Sequence, residues 1–202
     1  IEDVGFETYH KILDEAVQEL RMEEFAEVFA ETGHVPPASE PTIDVEDDVF
    51  IPADYVTNAV ERLNLYRRLA GLTDPAEVDA FRAELADRFG PVPEAIETLL
   101  LMAQMKPLAH ALRLPRVTWR NQRLFLHVPD QADDPYFYRP PSGAGPTPFE
   151  RFLAKLGALG QRYVLRDSKS GKLRAIVQDV ATLKDAEAVL EQLRLEPTAI
   201  AA

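Results

Sequence analysis

Residues 116–128 read RVTWRNQRLFLHV. Two short runs rich in β-branched and aromatic residues flank Asn121-Gln122, the pattern of a β-hairpin turning at that pair. Everything upstream of it has a helical texture, so this stretch decides the class. With RYVLRDSKSGKLRAIVQ (162–178) as a second hairpin, turning at Lys169–Gly171, the chain reads as α+β. A helical N-terminal half is followed by a small, mostly antiparallel sheet with packed helices.

Working outward from the hairpin, the upstream segments resolve into helices by their apolar spacing. Residues 94–112, entered at Pro93, use Ile96, Leu99, Leu100, Ala103 and Leu108, and Pro107 is expected to kink them. Before that, DPAE opens a helix at Asp74 as N-cap, with Pro75 first in the helix and Glu77 completing a capping box. Its stripe is Val78, Phe81, Leu85 and Phe89, and Gly90 closes it. A helix over about 57–70 is expected to bury Val60, Leu63, Tyr66 and Leu69. TIDVEDDVFIP (42–52) alternates Ile43, Val45, Val49 and Ile51, a half-buried strand closed by Pro52. Downstream, 130–148 is a long loop whose Tyr136, Phe137 and Tyr138 are expected to fold back over the sheet. FERFLAKLGALG is a short helix, and a last helix spans about 182–193.

Phe6, Tyr9, Leu13, Ala16, Val17 and Leu20 share one face, so 5–21 is an amphipathic helix. GHVPPASEPT (33–42) is rich in turn-forming residues and separates this helix from the rest. The chain therefore divides into a terminal helical segment over 1–32, a linker over 33–41 and an α+β domain over 42–198. It opens Ile-Glu-Asp-Val-Gly-Phe without Met, which reads as a piece of a longer protein.

The formal net charge of −12 is unevenly placed. Residues 1–55 carry 16 acids against Lys11 and Arg21, while the remaining 147 residues are nearly balanced, with 18 acids and 20 bases. A phosphate backbone would be repelled by the first part and only mildly attracted by the second. No stretch approaches the ~18 apolar residues of a membrane span. Without cysteine, neither disulfides nor thiolate chemistry contributes, and a cytoplasmic setting is the default. No P-loop or zinc spacing occurs, and the histidines at 10, 34, 110 and 127 lie on different elements. The expectation is a chain without a catalytic centre, a metal or a cofactor of its own.

Within AELADRFGPVP (83–93), Glu84 and Asp87 stand one helical turn apart. Asp87 points almost opposite the apolar stripe, with Glu84 toward the flank and Arg88 four residues after it. An acid/base pair needs one carboxyl desolvated, and an outward face offers no such place. Ala76, Ala80 and Ala83 share the face, so two readings stand: an alanine-rich solvated helix, or a flat acidic patch that another backbone approaches closely.

Three stretches together resemble one family: GFETYHKILDEAV (5–17), FIPADYVTNAVERLNLYRRLA (50–70) and ELADRFGPVPEAIETLLLMAQMK (84–106). They are similar to the C-terminal end of the bacterial transcription-repair coupling factors. The resemblance implies a parent that is an ATP-driven double-stranded DNA translocase, which displaces stalled RNA polymerase and recruits UvrA. It implies that the motor, with its ATP and Mg, lies upstream, and that the region after the linker is a non-catalytic regulatory domain. Such a domain docks on an N-terminal module resembling UvrB and masks the UvrA-binding surface. Matched onto this sequence, the partner-binding acids are Glu84 and Asp87, with Ala80 and Ala83 beside them.

A rival reading comes from the hairpins. Arg120, Arg123, Lys169 and Lys172, near Trp119 and Tyr163, form a basic aromatic surface for weak contact with nucleic acid. The alternative to this rival is the charged outer face of a small sheet.

Overall fold

Asn121 and Gln122 both take left-handed backbone angles, φ 48° and 55°. That is the signature of a two-residue type I′ turn, whose twist matches that of the strands it joins. Arg120 pairs with Arg123 at the turn, and the register runs out to Arg116 opposite His127. The hairpin read from 116–128 is therefore present with its turn at the expected pair. In the computed structural model, which describes residues 38–46, 49–140, 145–167 and 172–194, it forms the centre of a five-stranded sheet. The helix expected over 5–21, the start of the linker and the second hairpin's turn, with Lys169, lie outside the described residues. The compact unit begins at Ala38.

The described elements are β1 (Thr42–Val45), α1 (Ala59–Ala70), α2 (Pro75–Phe89), α3 (Glu94–Ala111), β2 (Arg116–Arg120), β3 (Arg123–His127), α4 (Pro148–Ala158), β4 (Tyr163–Asp167), β5 (Leu173–Val177) and α5 (Leu183–Leu193). The strand order is β1-β2-β3-β5-β4. All pairings are antiparallel except β1 with β2, which run parallel because α1, α2 and α3 intervene between them. This is the expected α+β architecture. The sequence reading found this edge strand but not its parallel pairing. The strand also ends at Val45, because Ile51 leaves the sheet to join a different core.

Two apolar cores result. The larger packs Val117, Leu124, Leu126, Ala175 and Val177 of the sheet against α3, α4 and α5, through side chains such as Met105, Phe152, Leu156 and Leu190. The smaller joins Ile51 and Val56 to α1, α2 and α3 through Leu65, Val78, Phe81, Leu85, Ile96 and Leu100. Helix α3 serves both, with Leu100 and Ala103 in one and Met105 and Ala109 in the other. Pro107 lies inside α3 without ending it, and the helix runs on to Ala111.

The stripe assigned to α1 is corrected by the structure. Val60 and Leu63 are exposed, and Leu65 is the buried residue. The helix is turned because Tyr66 must bring its hydroxyl to the Ile51 backbone N–H (2.6 Å) while Leu65 fills the small core. The capping of α2 also differs in one partner. Asp74 accepts from the Ala76 N–H (2.8 Å), but Glu77 reaches the Thr73 N–H (3.2 Å).

Helix α3 ends in a Schellman arrangement: the Arg113 N–H donates to the His110 carbonyl (2.9 Å) and the Leu114 N–H to the Ala109 carbonyl (3.0 Å). Arg113 takes the left-handed position (φ 56°) where glycine is usual. Its side chain explains the exception, since Nε and Nη2 grip both oxygens of Asp134 at 2.6 and 3.0 Å. Asp134 in turn accepts the backbone N–H groups of Tyr136 and Phe137, starting a short 3-10 turn over Pro135–Tyr138. Phe137 is fully buried among Phe149 and Phe152. The aromatic loop does fold back into the body.

Candidate docking site

The seam between α1 and α2 is built of charge. Arg68 of α1 lies over the Phe81 ring (4.7 Å to its centre) and places both guanidinium nitrogens 2.7 Å from the two carboxylate oxygens of Glu84. Arg88, one turn further along α2, reaches Glu84 at 3.1 Å and also binds Glu61 of α1. A chain of four side chains, Glu61–Arg88–Glu84–Arg68, therefore ties the two helices together. Bidentate guanidinium–carboxylate contacts fix direction as well as charge. The hydrogen bonds from Arg68 first, and those from Arg88, pull the Glu84 carboxyl down to about 2 against the opposing effect of burial.

That geometry corrects the reading of Glu84. The residue is not an outward acid awaiting a partner, because both its oxygens are engaged within the domain. Asp87 is different: it is exposed and has no hydrogen-bond or ion-pair partner among the described residues. Ala76, Ala80 and Ala83 are exposed on the same side of α2. Outside the seam, α2 thus offers a strip of methyl groups that ends in one carboxylate. Sequence reading found the strip and the pair with Arg88. It missed Arg68 and Glu61, which approach only when α1 folds against α2.

Glu84 stabilises the fold in a pH-dependent way. Its folded value near 2 lies below the 4.5 of an unfolded chain. Its contribution is therefore complete above about pH 4.5 and is lost as pH falls through about 2. Urea titrations should show wild type about 1 kcal/mol more stable than Glu84→Gln at neutral pH, an amount suited to a half-solvated pair. The gap should narrow measurably by about pH 3. A gap unchanged by acid would mean that the Arg68 contact is not formed in solution.

The structure separates the residues of the rival surface. Trp119 points to the helical side of the sheet and donates its indole N–H to the Val180 carbonyl (3.0 Å). Lys172 is held by Asp133 at 2.6 Å and Asp130 at 3.4 Å. Arg120 and Arg123 lie on the opposite, open face, so the arginines and the tryptophan do not meet. Among the described residues, no group of His, Cys, Asp and Glu could hold a metal ion, and no helix is long and apolar enough to cross a membrane.

The family profile of the TRCF domain matches residues 45–137, from the end of β1 through the seam and α3 to the aromatic turn. Over these residues the chain is similar to the TRCF domain family. The candidate strip on α2 lies inside the matched region. Among similar proteins, the transcription-repair-coupling factor of Rickettsia bellii is 36% identical over 114 residues, covering 56% of this chain and 10% of that protein. That of Haemophilus influenzae is 31% identical over 137 residues, covering 65% and 11%. The chain thus spans about a tenth of the length of these relatives. A crystal structure of the C-terminal domain of a transcription-repair coupling factor superposes with a TM-score of 0.57 at 16% identity, over 78% of this chain and 90% of that one. That likeness is one of fold.

Proposed function

We propose that this domain is an autoregulatory docking module of a longer, ATP-driven DNA translocase that couples transcription to nucleotide excision repair. In this reading α2 lays its outer strip against a module of the same protein resembling UvrB and masks the surface that UvrA would bind. ATP and Mg belong to the upstream motor, and RNA polymerase and DNA are reached through the parent protein. The names of the relatives support the repair role. The observation that carries the docking role is Asp87, an unpartnered carboxylate at the end of a row of exposed alanines, beside a Glu84 locked in place by two arginines. Small side chains let a second backbone come close, and the lone carboxylate supplies a charged hydrogen-bond acceptor for an arginine on the partner.

The test is Asp87→Arg in the full-length protein. The substitution touches nothing in the domain, so the stability of the isolated domain should stay within about 0.5 kcal/mol of wild type. At an interface, like charge replaces a pair, and UvrA affinity should rise about tenfold or more as the mask opens. Idle ATP turnover should rise with it. Glu84→Arg should release the mask too, but it also dismantles the seam and lowers stability. Unchanged UvrA affinity for an intact Asp87→Arg protein would return the strip to ordinary solvated helix.

A further inference from the structure

The sheet has a second face, and no helix among the described residues covers it. Alternation along the strands sends Val117, Leu124, Leu126, Ala175 and Val177 into the core, and their neighbours in sequence to the other side. One row there runs across four strands as Thr118, Phe125, Ile176 and Val164, all in register. Phe125 lies outside both apolar clusters yet is 9% exposed, because it is roofed by the Arg120 guanidinium, 4.9 Å from its ring centre. The next row is Arg116, His127, Arg174 and Arg166. On the other side of the apolar row, Arg120 stands opposite Arg123.

This arrangement is costly to the fold. Arg166 faces Arg174, and Arg120 faces Arg123, directly across strands, where like charges destabilise a sheet. None of these four guanidinium groups has an ion-pair partner among the described residues, and the Nε of Arg174 is buried without a hydrogen bond. Only Arg116 is paired, with Asp44 at 3.0 Å. Burial, and then the charges of Arg174 and Arg116, push the His127 imidazole below its usual range; Arg120 adds to this and Asp44 opposes it.

We infer that this open face is a docking surface for an acidic segment of a partner protein, one that seats apolar side chains on the Thr118–Phe125–Ile176–Val164 row and carboxylates on the arginines at either side. The two basic rows stand four residues apart on β2, roughly 13 Å at strand spacing. That is room for one helix, about 10–12 Å across. An apolar centre rimmed by arginine is the composition of a protein interface. A nucleic-acid strand fits less well, because binding it rests on aromatic platforms on which bases stack. Here the aliphatic row offers none, Phe125 lies beneath Arg120, and Trp119 points away. This surface is separate from the α2 strip, and either can fail without the other.

The test titrates the isotope-labelled chain, at about 150 mM salt, with an amphipathic peptide of about 20 residues carrying a leucine stripe flanked by glutamates. A scrambled peptide of the same composition and an oligothymidylate of similar length serve as comparisons. The amphipathic peptide should move the amide signals of Thr118, Phe125, Val164 and Ile176, and bind about tenfold or more tightly than either comparison. Arg120→Glu with Arg166→Glu should weaken it by a similar factor while leaving Tm unchanged or raised, because each glutamate then faces an arginine. If that variant misfolds, Arg120→Gln with Arg166→Gln answers the same question. Tighter binding of the oligothymidylate would assign the face to nucleic acid. Dimerisation abolished by these substitutions would assign it to a second copy. Either result, absence of peptide binding, or binding indifferent to the arginines would overturn the inference.

Discussion

Asp134→Ala should destabilise the domain by about 3 kcal/mol, the scale on which a buried ion pair loses one partner. Asp134 is 9% exposed and serves three groups at once: the Arg113 fork and the N–H groups of Tyr136 and Phe137. Removing it strips a largely buried guanidinium, 15% exposed, of this carboxylate and uncaps the turn that aims Phe137 into the core. It also leaves Arg113 in a left-handed conformation without the contact that accounts for it. At this chain length the loss corresponds to a fall in Tm of roughly 10 °C. Asp134→Asn keeps a side-chain oxygen for the N–H groups but loses the charge and sets an NH2 donor against the Arg113 Nε–H, so it should fall between wild type and Ala. Thermal and urea unfolding of the three proteins measure this directly. A cost below about 1 kcal/mol for Asp134→Ala would show that the loop is held by its aromatics alone.

Leu100→Ala should cost a similar amount, about 3 kcal/mol, but distribute it differently. Leu100 is fully buried on the half of α3 that faces the small core of α1 and α2. That core has fewer buried side chains than the one beneath the sheet. The cavity should therefore loosen α1 and α2 first, while β2, β3 and β5 keep their protection. Hydrogen exchange resolves the two regions: amides of α1 and α2 should exchange much faster, with the central strands little changed. Equal acceleration everywhere would mean that α3 makes the two cores one cooperative unit. The outcome bears on the docking strip, because the small core holds α2 in place together with the charged seam, the Arg82–Glu97 pair to α3 (3.0 Å) and the Tyr55 hydroxyl on the Leu85 carbonyl (3.0 Å).

Several features of the domain were legible in local sequence because local physics sets them. The Asn121-Gln122 turn, the Asp74-Pro75 start of α2 and its Val78, Phe81 and Leu85 stripe depend on residues within a few positions of one another. The outward direction of Asp87 follows in the same way, from 3.6-residue periodicity alone. Tertiary structure decided the rest, since the deciding partners are distant along the chain. The rotation of α1 depends on Tyr66 meeting Ile51 and on Leu65 finding the small core, so apolar residues exposed at Val60 and Leu63 could not be told from buried ones. Glu84 changed from an open acid to a locked one because Arg68 reaches it from sixteen residues away. The register of the sheet, likewise, gathered arginines from separate hairpins into two rows and turned Trp119 from them. Side-chain direction within one element is fixed by backbone geometry, whereas the charge that a side chain meets is fixed only when elements pack.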